Sequence, residues 1–208
     1  AGLYREEVSI MIKIQGKIPR EVGVAVSGGV DSMAILDFLS RNHQVTAYNF
    51  HHGTLYGDAA LSVLEDYCDK KSIALRRGKI QNDKPKHKSW EEHWRDERYD
   101  WLKSIDHTVV TAHHLGDCVE TYVFNMCHGT MGTIPYRHAN IIRPFRLTSK
   151  DDMIEHCMRH SVPWLEDHSN KDTKYMRNHI RISLLPEVSR VNPGIHKVVK
   201  KMMMAEEI

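Results

Sequence analysis

The stretch Val22–Ser32 reads Val-Gly-Val-Ala-Val-Ser-Gly-Gly-Val-Asp-Ser and decides the fold class of this 208-residue chain. Its first part alternates β-branched valines with small residues, which is typical of a strand buried on both faces of a parallel sheet. From Val30 to Leu39 the apolar side chains recur at helical spacing. Between the two, Gly28 and Gly29 let the backbone turn tightly and approach a ligand closely. The pattern predicts a strand, a glycine-rich loop and a helix, in that order.

The loop between this strand and this helix has the chemistry of a pyrophosphate site. N–H groups at the start of the helix face any ligand that lies there, and the helix dipole favours an anion. Ser27 and Ser32 add hydroxyl donors, and Asp31 is compatible with a phosphate when a divalent cation lies between them. The loop is not a Walker A motif, because no Gly-Lys-Ser/Thr follows. It predicts a pyrophosphate with a metal ion, and the alternative is a glycine-rich turn in which Asp31 only caps the helix.

Length and composition exclude several classes of protein. The 208 residues are 41% hydrophobic and carry a net charge of +2, which suits one large domain or one domain with an appendage. The apolar runs are too short to cross a bilayer, and charged residues interrupt the N-terminal stretch where a signal peptide would lie. Four widely spaced cysteines without a Cys-x-x-Cys pair suit a reducing compartment. We therefore expect a cytoplasmic protein that has no membrane partner.

Positive charge is concentrated near the C-terminus. Between positions 171 and 201 only Asp172 and Glu187 are acidic, whereas eight residues are basic: Lys171, Lys174, Arg177, Arg181, Arg190, Lys197, Lys200 and Lys201. A local basic surface suits nucleic acid. On charge alone, a solvated helix face is an equally good interpretation.

Apolar β-rich runs alternate with helical patterns along most of the chain. This alternation predicts an α/β fold with a doubly wound, mostly parallel sheet of five strands. The predicted strands are Val22–Ser27, Gln44–Phe50, Ala74–Lys79, Thr108–Ala112 and Ile141–Arg143. The predicted helices are Asp31–Arg41, Asp58–Lys71, Trp90–Ser104, Asp117–Cys127, Lys150–His160, Tyr175–Val188 and Gly194–Ala205. We expect an α/β core over residues 11–148 and an all-helical extension over residues 149–208.

A second motif, His113–Thr121, follows the fourth predicted strand and opens a helix. In doubly wound sheets, ligands bind beyond the carboxyl ends of the strands, so this motif is expected near the glycine-rich loop. Asp117 and Glu120 are three residues apart and therefore lie on one helix face. Taken alone, the motif is explained by carboxylates that cap a helix N-terminus.

Both motifs resemble those of a known group of enzymes. The Ser27–Ser32 loop resembles the SGGxDS loop of the N-type ATP pyrophosphatases, which split ATP between the α and β phosphates. His113–Thr121 resembles the HHxDDxxET motif of the tRNA(Ile)-lysidine synthetases. Gly116 stands where that family has the first of two acids, so one carboxylate of the motif is missing here.

Further segments extend the resemblance from about Val22 to Pro193. Trp90–Tyr99 is similar to the family's ARxxRY segment, with Trp94 in place of its alanine, and His52-Gly53 is similar to its H-G after the second strand. Arg143-Pro144 matches its RP, and Asp167–Pro186 is similar to its DxSNxD, RNxxR and LLP motifs. The last set makes the match specific.

The resemblance implies a two-step ligation with ATP and Mg²⁺ as cofactors. ATP adenylates C2 of the wobble cytidine in an isoleucine tRNA with a CAU anticodon, and the ε-amine of free L-lysine then displaces AMP. The implied catalytic residues are Asp31, Asp117, Arg95 and His113, of which Asp31 and Asp117 are the implied metal ligands. The implied ATP-binding residues are Ser27, Gly28, Gly29, Val30, Asp31, Ser32, Phe50, His52 and Gly116. The implied tRNA and substrate contacts are Arg98, Glu120, Asp167, Asn170, Arg177, Asn178 and Arg181.

Several alternatives stay open. A tRNA sulfurtransferase on the same core commonly needs a reactive cysteine pair, and only Cys118 lies beside the predicted site. The activity of an ammonia-using adenylating enzyme would not explain the basic C-terminal segment. A non-catalytic nucleotide- or tRNA-binding protein would not need the acidic side chains of Asp31 and Asp117. The adjacent histidine pairs, His51-His52 and His113-His114, do not both face one ligand from regular structure, which disfavours a histidine metal site.

The end of the chain raises a separate question. Members of the family usually carry further domains that grip the tRNA acceptor stem, whereas this chain ends at Ile208. A truncated chain, a natural minimal form and a changed substrate are all compatible with that departure. The oligomeric state is also open, with a homodimer as one alternative.

Overall fold

One sheet of six strands organises the chain in this computed structural model, which describes residues 12–166 and 174–208. The strands are β1 (Glu21–Ala25), β2 (Gln44–His51), β3 (Ala74–Lys79), β4 (Val109–Val110), β5 (Arg137–His138) and β6 (Ile141–Ile142). Their order in the sheet is β3-β2-β1-β4-β6-β5. All neighbouring pairs are parallel except β5 and β6, which are antiparallel. The expected α/β fold with a mostly parallel sheet is confirmed.

Helices connect the strands and form the C-terminal part of the chain. They are α1 (Val30–Ser40), α2 (Leu55–Lys71), α3 (Trp90–Lys103), α4 (Leu115–Cys127), α5 (Lys150–Arg159), α6 (Met176–His179), α7 (Leu185–Val191) and α8 (Ile195–Met204). A π-helical turn, Ile180–Leu184, joins α6 to α7. Among the described residues, no helix is both long and apolar enough to cross a membrane.

The structure corrects the sequence-based elements in three places. The sheet has six strands rather than five, because the exposed polar pair of β5 gave no apolar signal. The predicted helix Tyr175–Val188 is divided by the π-helical turn, and Pro186, at the start of α7, has no N–H to donate to a preceding carbonyl. The second helix begins at Leu55 rather than Asp58, because Thr54 Oγ1 accepts a hydrogen bond from Gly57 N at 3.1 Å.

The topology brings two loops together at one edge of the sheet. β1 lies between β2 and β4. The chain builds β2 and β3 on one side of β1 and then crosses to β4 on the other side. The loops that leave the carboxyl ends of β1 and β4 therefore diverge at a topological switch point, where ligands bind in open α/β sheets. The glycine-rich loop follows β1, and the His113–Thr121 motif follows β4.

The core packs helices on both faces of the sheet. Val22 and Val24 of β1 are fully buried together with Ile35 and Leu39 of α1, as their apolar pattern predicts. Burial of such side chains stabilises the fold by about 1.5–3 kcal/mol each. α5 belongs to this cluster through Met153, which is also fully buried.

The C-terminal helices pack on the core rather than standing apart from it. Val199 and Met203 of α8 are fully buried against Val119 and Val123 of α4. The boundary between residues 148 and 149, drawn from the sequence, stays a prediction.

A buried carboxylate ties three helices together. Asp37 of α1 is 1% exposed and accepts hydrogen bonds from Tyr67 Oη at 2.6 Å, Arg41 Nη2 at 2.8 Å and His156 Nε2 at 2.8 Å. Burial alone would raise the pKa of this carboxyl group, but the hydrogen bonds outweigh it and hold the pKa well below its usual range. The network therefore joins α1 to α2 and α5 by one ionised group.

Candidate functional site

The glycine-rich loop after β1 has a backbone that only glycine suits. Gly28 has φ of +85°, and a Cβ at that position would lie 2.8 Å from the Cβ of Ala60. Ser32 Oγ accepts a hydrogen bond from Ser27 N at 3.2 Å and donates one to Gly29 O at 2.9 Å. These bonds fold the loop back onto the first turn of α1.

The start of α1 is left open by this arrangement. Gly29 is its N-terminal cap, and no side chain of the described residues caps the helix there. The first N–H groups of an α-helix have no partners within the helix, so they are available to an anion. The predicted phosphate loop, Ser27–Ser32, thus has the geometry of an anion site.

The second motif caps α4 with its own side chains. His114 N donates to Asp117 Oδ2 at 3.0 Å, and Asp117 N donates to His114 Nδ1 at 3.4 Å. A Cβ at Gly116 would lie 2.7 Å from His114 Cε1. The glycine that departs from the family motif therefore leaves room for the His114 ring to act as the cap.

Two carboxylates converge at the switch point. His114 Nε2 lies 3.9 Å from Asp31 Oδ1 and 3.7 Å from Asp117 Oδ2, so the imidazole stands between the two acids. Asp31 Oδ1 is buried without a hydrogen-bond partner among the described residues. Burial raises the pKa of Asp31, and nearby His114 and Lys150 only partly offset it. Asp31 is thus a carboxylate whose charge the described residues leave incompletely compensated.

Asp117 has the opposite environment. Arg177 Nη2 donates to Asp117 Oδ1 at 2.9 Å. Burial would raise the pKa of Asp117, but His114 and Arg177 outweigh it and lower the pKa to about 2. Asp117 is therefore ionised at neutral pH and already has a cationic partner.

Glu120 anchors two arginines to α4. It is 4% exposed and accepts hydrogen bonds from Arg177 Nε at 3.0 Å, Arg181 Nε at 2.6 Å and Arg181 Nη2 at 3.0 Å. Charge-assisted bonds of this kind are about twice as strong as neutral ones. The network attaches α6 and the π-helical turn to the N-terminal half of α4. Arg177 and Arg181, expected at the tRNA, also hold acidic side chains of the site in place.

A second cationic cluster surrounds Tyr99. The guanidinium groups of Arg95, Arg98 and Arg143 lie 5.0, 5.4 and 5.9 Å from the centre of its ring. Burial lowers the pKa of Arg98, and its charged neighbours Arg95 and Arg177 lower it further. Guanidinium groups are the side chains that proteins use most often to bind phosphate.

His113 and His52 are both neutral at physiological pH. Burial lowers the pKa of His113 to about 3 and that of His52 to about 4. Thr111 Oγ1 lies 2.9 Å from His113 Nδ1 and fixes the ring by a hydrogen bond. His52, at the end of β2, contacts Phe50 with ring centres 5.3 Å apart.

Other predicted site residues lie elsewhere in the fold or outside the described residues. Phe50 lies in β2 and His52 follows it directly, and β2 is on the other side of β1 from β4. Asn178 is buried in α6. Asp167 and Asn170 lie outside the described residues, although Leu165 N donates to Gly28 O at 3.0 Å just before them.

Lys150 is a site residue that the sequence motifs missed. Its Nζ lies 3.8 Å from Asp31 Oδ2, and it occupies the first position of α5. A cation in the first turn opposes the helix dipole. That unfavourable placement, after the helix cap Ser149, is the signal that could have identified it.

Comparisons with known proteins agree with this geometry. A sequence profile of the PP-loop domain matches residues 5–188. The tRNA(Ile)-lysidine synthase of Vibrio vulnificus is 31% identical in an alignment that covers 93% of this chain and 48% of that protein. Those of Bacteroides thetaiotaomicron and Staphylococcus aureus are 31% and 30% identical, and each alignment covers 44% of the relative. The chain thus spans about half the length of the curated relatives that it matches.

A solved structure supports the fold alone. The NH3-dependent NAD synthetase of Campylobacter jejuni superposes with a TM-score of 0.50 at 15% identity, over 92% of this chain and 90% of that chain. The profile match covers most of the chain, and the glycine-rich loop and the His113–Thr121 motif follow the two strands at the switch point of the sheet. The chain therefore belongs to the PP-loop domain family, in which its curated relatives are tRNA(Ile)-lysidine synthases.

Proposed function

We propose that the chain carries the catalytic site of an ATP-dependent ligase that joins L-lysine to C2 of the wobble cytidine of tRNA(Ile). The observation that carries this proposal is the pairing of Asp31 and Asp117 across His114, beside the open N-terminus of α1. The names of the curated relatives support the tRNA substrate. The CAU anticodon and free lysine as the second substrate rest on the motif resemblance.

The first step is attack of the cytidine O2 on the α-phosphorus of ATP, with pyrophosphate as the leaving group. N–H groups from the Ser27–Ser32 loop stabilise the negative charge that develops on the leaving pyrophosphate. Lys150, close to Asp31, adds a positive charge on the same side of the site. The clustering of Arg95 and Arg98 on the Tyr99 ring supports a role for them in holding a phosphate of the nucleotide or of the RNA.

Magnesium fits the acidic side chains that are present. Mg²⁺ is usually held by one or two carboxylates together with substrate phosphates and water. Asp31 supplies a buried oxygen without a hydrogen-bond partner among the described residues, and Asp117 supplies a second carboxylate nearby. When bound there, the ion would neutralise charge at the α-phosphate.

The second step forms a bond between the lysine ε-nitrogen and C2 while the bond from C2 to the AMP oxygen breaks. The amine attacks in its neutral form, so its proton must leave to a nearby acceptor. His113 is neutral and Asp117 is ionised at neutral pH, so each is able to accept a hydrogen bond from the amine. Both stay candidates for orienting the amine by a hydrogen bond, whereas their low pKa values make them weak bases, so the proton passes on to water.

The sulfurtransferase alternative is disfavoured by the state of Cys118. This thiol is fully buried in α4, and burial raises its pKa to about 12. The thiolate is the nucleophilic form of cysteine, and it would be scarcely populated here at neutral pH.

Incubation of the protein with ATP, labelled lysine and tRNA(Ile), followed by mass analysis of the RNA, tests the proposal. We expect label in the tRNA and in an isolated CAU anticodon stem-loop, with a higher apparent KM for the stem-loop, because backbone contacts add affinity while base contacts specify. A matched RNA with uridine at the wobble position is the control. Pyrophosphate release with some other acceptor, and no label in either RNA, would refute the proposed substrate.

A further inference from the structure

A row of aromatic rings runs outward from the end of β2. Phe50 and His52 have ring centres 5.3 Å apart, His52 and Trp94 5.6 Å, and Trp94 and Trp90 5.9 Å. Trp90 and Trp94 are four residues apart in α3, so they share one face of that helix. Trp90 is 54% exposed, which is unusual for the largest apolar side chain.

These rings border a pocket of 510 Å³, which His52, one of the implied ATP-binding residues, also lines. Its lining includes His52, Trp90 and Trp94, and none of its lining residues belongs to the Ser27–Ser32 loop or to α4. The volume lies within the range of about 300–1,000 Å³ that is typical of small-ligand sites. The pocket is therefore separate from the acidic pair at the switch point.

Two polar atoms of the aromatic row have no partner. Trp94 Nε1 and His52 Nδ1 are both buried and make no hydrogen bond with the described residues. Buried polar atoms without partners are costly and point to a ligand or water that completes them.

Cations lie at the mouth of the same pocket. Lys84 Nζ lies 5.5 Å from the centre of the Trp90 ring, and Lys86 is exposed on the same loop. Stacking rings beside positive charge are the combination with which proteins bind single-stranded nucleic acid. Trp94 also stands where the family motif has alanine, so this feature belongs to the chain itself.

We propose that the pocket between α3 and the end of β2 binds an unpaired base of the RNA, stacked on Trp90 and Trp94. This inference rests on the proposed tRNA substrate and adds the surface that holds a nucleotide other than the reacting one. Lys84 and Lys86 then face the phosphates that flank the stacked base. Adenine of ATP has the same ring chemistry, and the experiment separates the two sources.

The test measures binding of a labelled anticodon stem-loop by fluorescence anisotropy, and binding of ATP alone by calorimetry. Trp90→Ala and Trp94→Ala should each weaken stem-loop binding about tenfold, because one base–aromatic stack is lost. Trp90→Phe should keep most of the affinity, since an aromatic face is retained. Phe124→Ala removes an exposed ring near the far end of α4 and is the matched control. Circular dichroism verifies that each variant is folded.

Two outcomes overturn the inference. Stem-loop affinity unchanged within about twofold in both alanine variants would exclude stacking. Weakened ATP binding with unchanged RNA binding would assign the pocket to adenine. Failure of the proposed function gives a different result. If the stem-loop binds through Trp90 but never receives lysine, the pocket proposal holds and the ligase proposal is wrong. If Trp90→Ala transfers lysine with an unchanged KM for the stem-loop, the ligase proposal holds and the pocket proposal is wrong.

Discussion

Glu120→Gln should destabilise the protein far more than the loss of an ordinary ion pair. The carboxylate is 4% exposed and accepts three hydrogen bonds from Arg177 and Arg181, at 2.6–3.0 Å. Removing one partner from a buried pair costs about 3–5 kcal/mol. The two arginine side chains are about one third exposed, and Asp117 remains as a partner for Arg177, so a smaller loss of about 2–3 kcal/mol is expected.

Urea unfolding measures this loss directly. With a slope of about 2 kcal/mol/M, the midpoint should fall by about 1–1.5 M. The control is Glu187→Gln, whose carboxylate pairs with Arg190 on the surface at 3.2 Å, with both side chains largely exposed. That pair should contribute about 0–1 kcal/mol. Equal midpoints for the two variants would refute the structural role assigned to Glu120.

Three further predictions concern the metal, the RNA surface and the buried carboxylate. Asp31→Asn should keep the thermal midpoint but reduce tRNA-dependent ATP–pyrophosphate exchange about 100-fold, because the carboxylate charge at the orphaned oxygen is lost; undiminished exchange would exclude a metal role. Replacing Lys197, Lys200 and Lys201 with Glu should weaken tRNA binding and flatten its salt dependence, because phosphate contacts release counterions; unchanged affinity would move the RNA elsewhere. The pKa of Asp37 is lower in the folded than in the unfolded protein, so its contribution to the free energy of unfolding is present above about pH 4 and is lost as the pH falls further. The difference in urea midpoint between the native protein and Asp37→Asn should therefore shrink between pH 7 and pH 3, and a constant difference would contradict the assignment.

Local patterns were sufficient for the parts of the site that are local in the chain. The valines of β1, the two glycines and the apolar spacing of α1 are contiguous, so their pattern was sufficient to predict the strand, the loop and the helix. The His113–Thr121 motif was interpreted in two ways, as a cap and as a catalytic motif. The structure contains the cap, since His114 and Asp117 exchange hydrogen bonds, and the same Asp117 also faces the site.

Contacts between distant parts of the chain were beyond the sequence. Glu120 and Arg181 are 61 positions apart, and no periodic pattern connects them. Lys150 reaches Asp31 only because α5 packs on α1. Arg177 and Arg181 are four positions apart and so lie on one helix face, but the carboxylate that both of them contact comes from another helix. For the same reason, the sequence overstated the free positive charge of segment 171–201. Two of its arginines, Arg177 and Arg181, form ion pairs with Glu120 and Asp117.

The two acids of the site are distinguished by their surroundings rather than by their type. Asp117 has Arg177 as a partner and a pKa of about 2, so its charge is already compensated. Asp31 has a raised pKa and a buried oxygen without a partner among the described residues. A divalent cation therefore binds more favourably at Asp31, where it neutralises a buried charge that has no full partner. At Asp117 the cation would have to compete with the guanidinium of Arg177. Environments that push two carboxyl groups apart in pKa also separate their roles. On this argument we propose Asp31 as the principal ligand of the metal ion, and Asp117 as the residue that chiefly positions His114 and Arg177.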